Sequence, residues 1–183
     1  MRELEQELVR RLDAAAVKRL PERREEVLEA LGSTVRQAFG LRPDEIAILI
    51  LSRDRSMLQF VYPAGMAEGG SNAFPVSVPS LAGQVVQTGR SVLNNAVHEV
   101  PHLGFYERIR VMENAPLDIQ KLLVVAVKGA DGAPQAVIEV SRRGRSRAEA
   151  SPDFRPEDQQ LLERLAAAAG PALTEAFATG RQG

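Results

Sequence analysis

Leu122 to Val140 reads LLVVAVKGADGAPQAVIEV, and this stretch decides the fold. Its two flanks, Leu122–Val127 and Ala136–Val140, are short runs of β-branched and aliphatic residues. Runs of five or six such residues between turn signals are strands covered on both faces. Asp131-Gly132 lies between them, a turn signal that folds the two strands into an antiparallel hairpin. Upstream, Ile46–Leu51 (IAILIL) has the same unbroken apolar character and predicts a third buried strand. Met57–Tyr62 (MLQFVY) and Ser91–Asn95 (SVLNN) are more mixed and read as edge strands, with Arg53–Ser56 a tight link between the first two.

Helical periods flank these strands. Leu4, Leu8, Leu12, Ala15 and Ala16 recur at helical spacing, which predicts a charged amphipathic helix over residues 3–19. Pro21 ends it and suits the first turn of a second helix, which carries Val27, Leu28, Leu31, Val35 and Ala38 and stops at Gly40. Ser80 is placed to cap a short helix with Leu81, Val85 and Val86 buried and Gly89 at its end. A long helix from about Pro156 to Ala178 has its apolar stripe on Leu162, Leu165, Ala169, Ala172 and Ala176. Pro171 must kink it or leave one carbonyl to another donor. The order of elements predicts an α+β domain, one antiparallel sheet with helices on both faces.

Composition narrows the function. The 183 residues are 44% hydrophobic and 26% charged with a net charge of -1, a soluble balance that does not call for nucleic acid as a partner. Cysteine is absent, which removes disulfides, thiolate nucleophiles and Cys-ligated metals. No apolar run reaches the ~20 residues of a bilayer span, and the N-terminus lacks a signal-peptide core. The expected location is therefore cytoplasmic, with no membrane partner.

Three segments resemble the GAF domain family. SLAGQVVQTGRSVLNN (80–95) is similar to its helix-to-strand signature, LLVVAVKGADGAPQAVIEVSRR (122–143) to its final hairpin, and FRPEDQQLLERLAAAAGPAL (154–173) to its closing helix. The likeness covers roughly residues 22–178. It implies an α/β (α+β), profilin-like five-stranded antiparallel sheet in the order 2-1-5-4-3, whose three central strands are the three buried runs. It divides the chain into an N-terminal helical arm (1–20), a GAF-like domain (21–179) and a tail (180–183). It also implies a bacterial signal-transduction module, a sensor that binds a small molecule and forms a homodimer through its terminal helices. The alternative is a ligand-free scaffold for dimerisation or for a signalling partner.

Residues 96–120 hold both histidines, two prolines and the aromatic pair Phe105-Tyr106 with little periodicity. A connection of that length between strands is a functional candidate. Asn94, His98, His102, Phe105, Tyr106 and Arg110 are the expected ligand-binding residues, joining aromatic surface to polar and cationic donors. His98-Glu99-Val100-Pro101-His102 also fits the H-E-x-x-H zinc pattern. That chemistry needs a helix, which Pro101 disrupts, so no metal is assigned. The resemblance admits haem on His98 or His102, with Phe105, Tyr106, Ile109 and Met112 as pocket walls; no cofactor is assigned, because a histidine near apolar residues is more often simply packed. In cyclic-nucleotide-binding relatives an Asn-Lys…Phe…Asp-Glu pattern recurs; here Ser141-Arg142, Phe154 and Asp158-Gln159 hold those places, and an Arg142–Asp158 pair would replace the usual Lys–Asp one. The basic run Arg142, Arg143, Arg145, Arg147 reads as a solvated loop. Asn94 and Asn95 either meet a ligand or cap the loop that follows. No catalytic constellation has the spacing a reaction needs, so no enzymatic activity is expected.

Overall fold

In the computed structural model, residues 2–64, 72–97 and 117–178 are described. Two long helices open the chain, α1 (Arg2–Ala16) and α2 (Leu20–Phe39). Pro21 sits in the first turn of α2, and Gly40 ends it at φ 60°, the left-handed conformation that costs glycine least. A 3₁₀ turn, Pro43–Glu45, leads into β1 (Ile46–Leu51) and β2 (Met57–Tyr62). Then come β3 (Ala73–Pro75), α3 (Leu81–Thr88), β4 (Val92–Asn94), β5 (Ile119–Lys128), β6 (Pro134–Arg143) and α4 (Pro156–Ala178). Ser80 caps α3 by accepting the Gly83 N–H, and Gly89 closes it at φ 65°. Gly132 takes φ 76° in the β5–β6 turn, where Asp131 accepts the Ala133 N–H.

The sheet is six-stranded and wholly antiparallel, in the order β3-β2-β1-β6-β5-β4. This corrects the expected five strands. The addition is β3, which pairs with β2 through Leu58 and Phe74, so β2 is not an edge. Ala-Phe-Pro is too short to show a period, and Pro75 can only stand where no ladder donor is required. β5 also begins three residues earlier than its apolar run, at Ile119, and β6 runs on to Arg143.

Strand alternation sends side chains to two separate cores. Ile46, Ile48, Leu123, Val125, Val127, Ile138 and Val140 face α1, α2 and α4. Ala47, Leu49, Val124, Ala126 and Val137 face the other side, where α3 covers part of the sheet with Leu81, Ala82, Val85 and Val86. The helical arm is not separate from the first of these cores. Leu8, Leu12 and Ala15 are buried among α2 and α4 residues, Arg11 donates to Ser33, and Arg164 on α4 bonds Glu5. Leu8, Leu12 and Ala15 of the stripe are thus covered within the chain.

Pro171 lies inside α4, which continues past it. The preceding Gly170 lets α4 rest on β5: a Cβ there would stand 2.7 Å from the Lys128 carbonyl oxygen. Gly170→Ala gains about 1 kcal/mol of helix propensity. It is nonetheless expected to lower stability by roughly 1–3 kcal/mol, because a backbone atom must move to admit the methyl. A urea midpoint equal to wild type would show that α4 can lift from β5 without cost.

Candidate functional site

The second face of the sheet is an apolar wall with polar residues of β6 set into it. Glu139 and Ser141 belong to β6, on the same side as Val137 by alternation. The cross-strand partners of Glu139 are Ala47 on β1 and Val124 on β5, both members of that wall. Glu139 is 4% exposed and Ser141 5%. A carboxylate in such a place has to be paired or hydrogen-bonded. Glu139 has such an electrostatic or hydrogen-bonding contact.

The corner where β4 ends and β5 begins is tied down by polar staples. Asn95 Nδ2 donates to the Phe154 carbonyl at 3.0 Å, and its Oδ1 accepts the Phe154 N–H at 2.9 Å. Asn94 Oδ1 accepts the Ala96 N–H at 2.7 Å, turning the chain toward Val97 on the second face. On β5, Lys121 Nζ donates to the Ser151 carbonyl and meets Asp153 at 2.8 Å. Hydrogen bonds from Lys121 and Arg147 hold the Asp153 carboxyl below its usual range. Gln120 Nε2 donates to the Gly144 carbonyl.

Arg142 and Arg143 correct the reading of their run as a solvated loop. Both are in β6, and Arg143 is buried. Its backbone N–H donates to Glu45 Oε1, its Nε to the Asp44 carbonyl, and its Nη1 to the Leu117 carbonyl. Burial pulls the Arg143 guanidinium below the ordinary arginine range, with Asp44 and Glu45 opposing it. Arg142 lies over the Phe154 ring, 5.1 Å from its centroid, rather than hydrogen-bonding Asp158. Asp158 instead accepts the Arg155 N–H at the start of α4. The two residues expected to form an ion pair therefore act separately: one stacks, the other caps.

Of the six expected ligand residues, Asn94 is placed, and its carbonyl oxygen is spent on the local turn. His98, His102, Phe105, Tyr106 and Arg110 lie outside the described residues, as does the whole H-E-x-x-H pattern. The chain leaves the described structure after Val97 and returns at Leu117. Val97 and Ile119 both pack on the second face. Among the described residues no group of three His, Cys, Asp or Glu side chains could hold a metal ion. No helix among them is long and apolar enough to cross a membrane. Glu139 and Ser141 are the residues that the sequence reading missed. The signal was present: one carboxylate in the middle of an otherwise buried strand.

Comparison with known proteins bears on the fold. A family model described as "GAF domain" matches residues 21–174. A search of curated proteins finds no match. Among solved structures, the GAF domain of an Acinetobacter phosphoenolpyruvate-protein phosphotransferase is similar, with a TM-score of 0.68 at 16% identity. The match covers 99% of this chain and 96% of that one. A fragment of a methyl-accepting chemotaxis protein gives 0.65 at 15% identity, covering 98% and 99%. The free methionine-R-sulfoxide reductase of Neisseria meningitidis, solved with its substrate, gives 0.60 at 17% identity, covering 94% and 89%. At these identities the likeness is one of fold.

Proposed function

The chain belongs to the GAF domain family, and from that premise we propose that it is a non-catalytic sensory or regulatory domain. It holds a small molecule against the second face of its sheet. The observation that carries this reading is the burial of Glu139 within an apolar wall, with Ser141 next to it on the same face. Binding sites combine a mostly apolar lining with a few placed polar groups. His98, His102, Phe105, Tyr106 and Arg110 supply further contacts from the 98–116 connection, both ends of which join that face, and Asn94 sets its departure. The reductase in the comparison is an enzyme. This chain has no cysteine, so a thiol-based sulfoxide reduction has no residue to run on.

Alternation along β6 gives the ligand a route to the helices. Glu139 looks onto the second face, while its neighbours Ile138 and Val140 pack under α2 and α4. A ligand that prefers one setting of β6 shifts the population toward the helix packing that goes with it. The output is a homodimer formed through the outer faces of α1 and α4. There Val9 is 43% exposed beside a 580 Å³ groove lined by Glu5, Arg10, Asp13 and Ala168.

The test uses the full chain purified without additives. Native mass spectrometry is expected to show a mass above that of the polypeptide. Failing that, cyclic AMP, cyclic GMP, haemin or methionine sulfoxide is expected to raise the melting temperature. Glu139→Gln should cut that shift while leaving the unliganded protein folded. A bare polypeptide mass with no shift from any of the four supports the scaffold reading. Light scattering reads the assembly: a dimer for wild type, and a monomer for Val9→Glu. A monomeric wild type overturns the dimer.

A further inference from the structure

β4 pairs with β5 only from Leu122 to Val124, the last pair being Val92 with Val124. Beyond that pair lies a cavity of about 490 Å³ between β5 and α4. Its apolar lining is Val125 and Ala126 of β5 and Ala167 of α4. Three charged residues complete it: Arg90 in the turn after α3, Lys128 at the end of β5, and Glu163 on α4. A small aliphatic surface ringed by a few charges is the composition of a small-molecule site.

The two cations are uncommitted. Of the chain's three lysines, Lys18 is paired with Glu26 and Lys121 with Asp153. Lys128 and Arg90 are exposed and form no ion pair among the described residues. Arg90 precedes Val92 by two residues, which sets it about level with Ala126, and Lys128 lies two strand residues further on, roughly 7 Å. The carboxylate is held but not used up. Glu163 Oε1 accepts from Ser91 Oγ at 2.6 Å and from Gln159 Nε2 at 3.0 Å, which fixes the group and leaves its Oε2 as an acceptor. One turn along α4, Pro171 has no N–H for the Ala167 carbonyl, so the same wall carries a second acceptor. The occupant that matches these walls in charge has two carboxylates, one for each cation, and one ammonium for the acceptors of α4.

We propose that this cavity is a binding site for a small amino-dicarboxylate, the chemical class of glutamate and aspartate. Its carboxylates meet Arg90 and Lys128, its ammonium meets Glu163, and its short aliphatic body lies on Val125, Ala126 and Ala167. The site is separate from the ligand reading for the second face and does not rest on it. The probe is potassium L-glutamate, titrated into the full chain by calorimetry against potassium chloride at matched ionic strength. Glutamine lacks the second carboxylate and glutarate lacks the ammonium, so both are expected to bind more weakly than glutamate. Arg90→Ala and Lys128→Ala, at exposed positions, should each weaken glutamate binding by about tenfold, which is about 1.4 kcal/mol. Glu163→Gln should remove the preference for glutamate over glutarate, because the charge that favours an ammonium is gone. Bound glutamate should slow hydrogen exchange at the amides of 89–92 and 159–167. A titration no different from the chloride control overturns the proposal. So does glutarate or glutamine binding as tightly as glutamate, a double Arg90→Ala, Lys128→Ala variant that binds like wild type, or protection that falls elsewhere in the chain.

Discussion

Val125→Asp is expected to leave the chain largely unfolded at 25 °C and neutral pH. Val125 is 2% exposed in β5, opposite Ile138 of β6, and faces the core shared with α2 and α4. The substitution removes a side chain whose burial contributes about 1.5–3 kcal/mol. It also leaves a carboxylate without water or a partner, a penalty of several kcal/mol. Together these approach the whole stability of a typical domain, about 5–15 kcal/mol. Val125→Ala separates the two effects, since it makes a small cavity and no charge; its cost should be roughly 2–3 kcal/mol. The Asp variant should also depend on pH. Burial favours the neutral acid, so its folded pKa lies above its unfolded value. The deficit is therefore smallest below the unfolded carboxylate pKa of about 3.9 and grows as pH rises through the raised folded value. Circular dichroism against urea at two pH values reads all of this. A soluble Asp variant with an unchanged melting temperature would overturn the placement of β5.

The hairpin that contains Val125 was legible because every local signal agreed. Two apolar runs of strand length bracket Asp131-Gly132, and Gly132 takes the positive φ that such a turn requires. The caps of α3 and the end of α2 were legible for the same reason, since Ser80, Gly89 and Gly40 each answer a local backbone need. What was not legible depended on tertiary context. β3 has three residues, and no period can be read in three. Arg143 looked solvated because arginine is rarely buried. Its burial depends on Asp44, Glu45 and Leu117, which lie 99, 98 and 26 positions away. Glu139 was visible as a carboxylate within AVIEV, but its strand reads as apolar by count. Only the register, which places Ala47 and Val124 on either side of it, shows that the carboxylate enters an apolar face. The candidate site thus rests on a residue that periodicity alone would have averaged away.

Removing α1 is expected to destabilise the domain rather than trim it. By sequence, residues 1–20 are an arm outside the GAF-like domain, and an isolated helix of this length is marginal in water. An amphipathic stripe states that something must cover it, not whether the cover comes from the same chain. Here Leu8 and Leu12 are 0% and 4% exposed within the core that includes Val27, Leu31, Leu162 and Leu165. Deleting residues 1–19 uncovers both surfaces at once. The two leucines alone represent about 3–6 kcal/mol of burial, offset in part because the deleted residues no longer have to be ordered. The melting temperature should fall by about 10 °C, since 1 kcal/mol shifts a chain of this size by about 2–4 °C. Leu8→Ala, which keeps the arm, should lower stability by about 2–5 kcal/mol. Scanning calorimetry on both variants, with light scattering on each, keeps stability and assembly apart. A truncated chain that melts with wild type would mean that α1 contributes nothing to its own domain, and the stripe on Leu8 and Leu12 would again need a second copy to cover it.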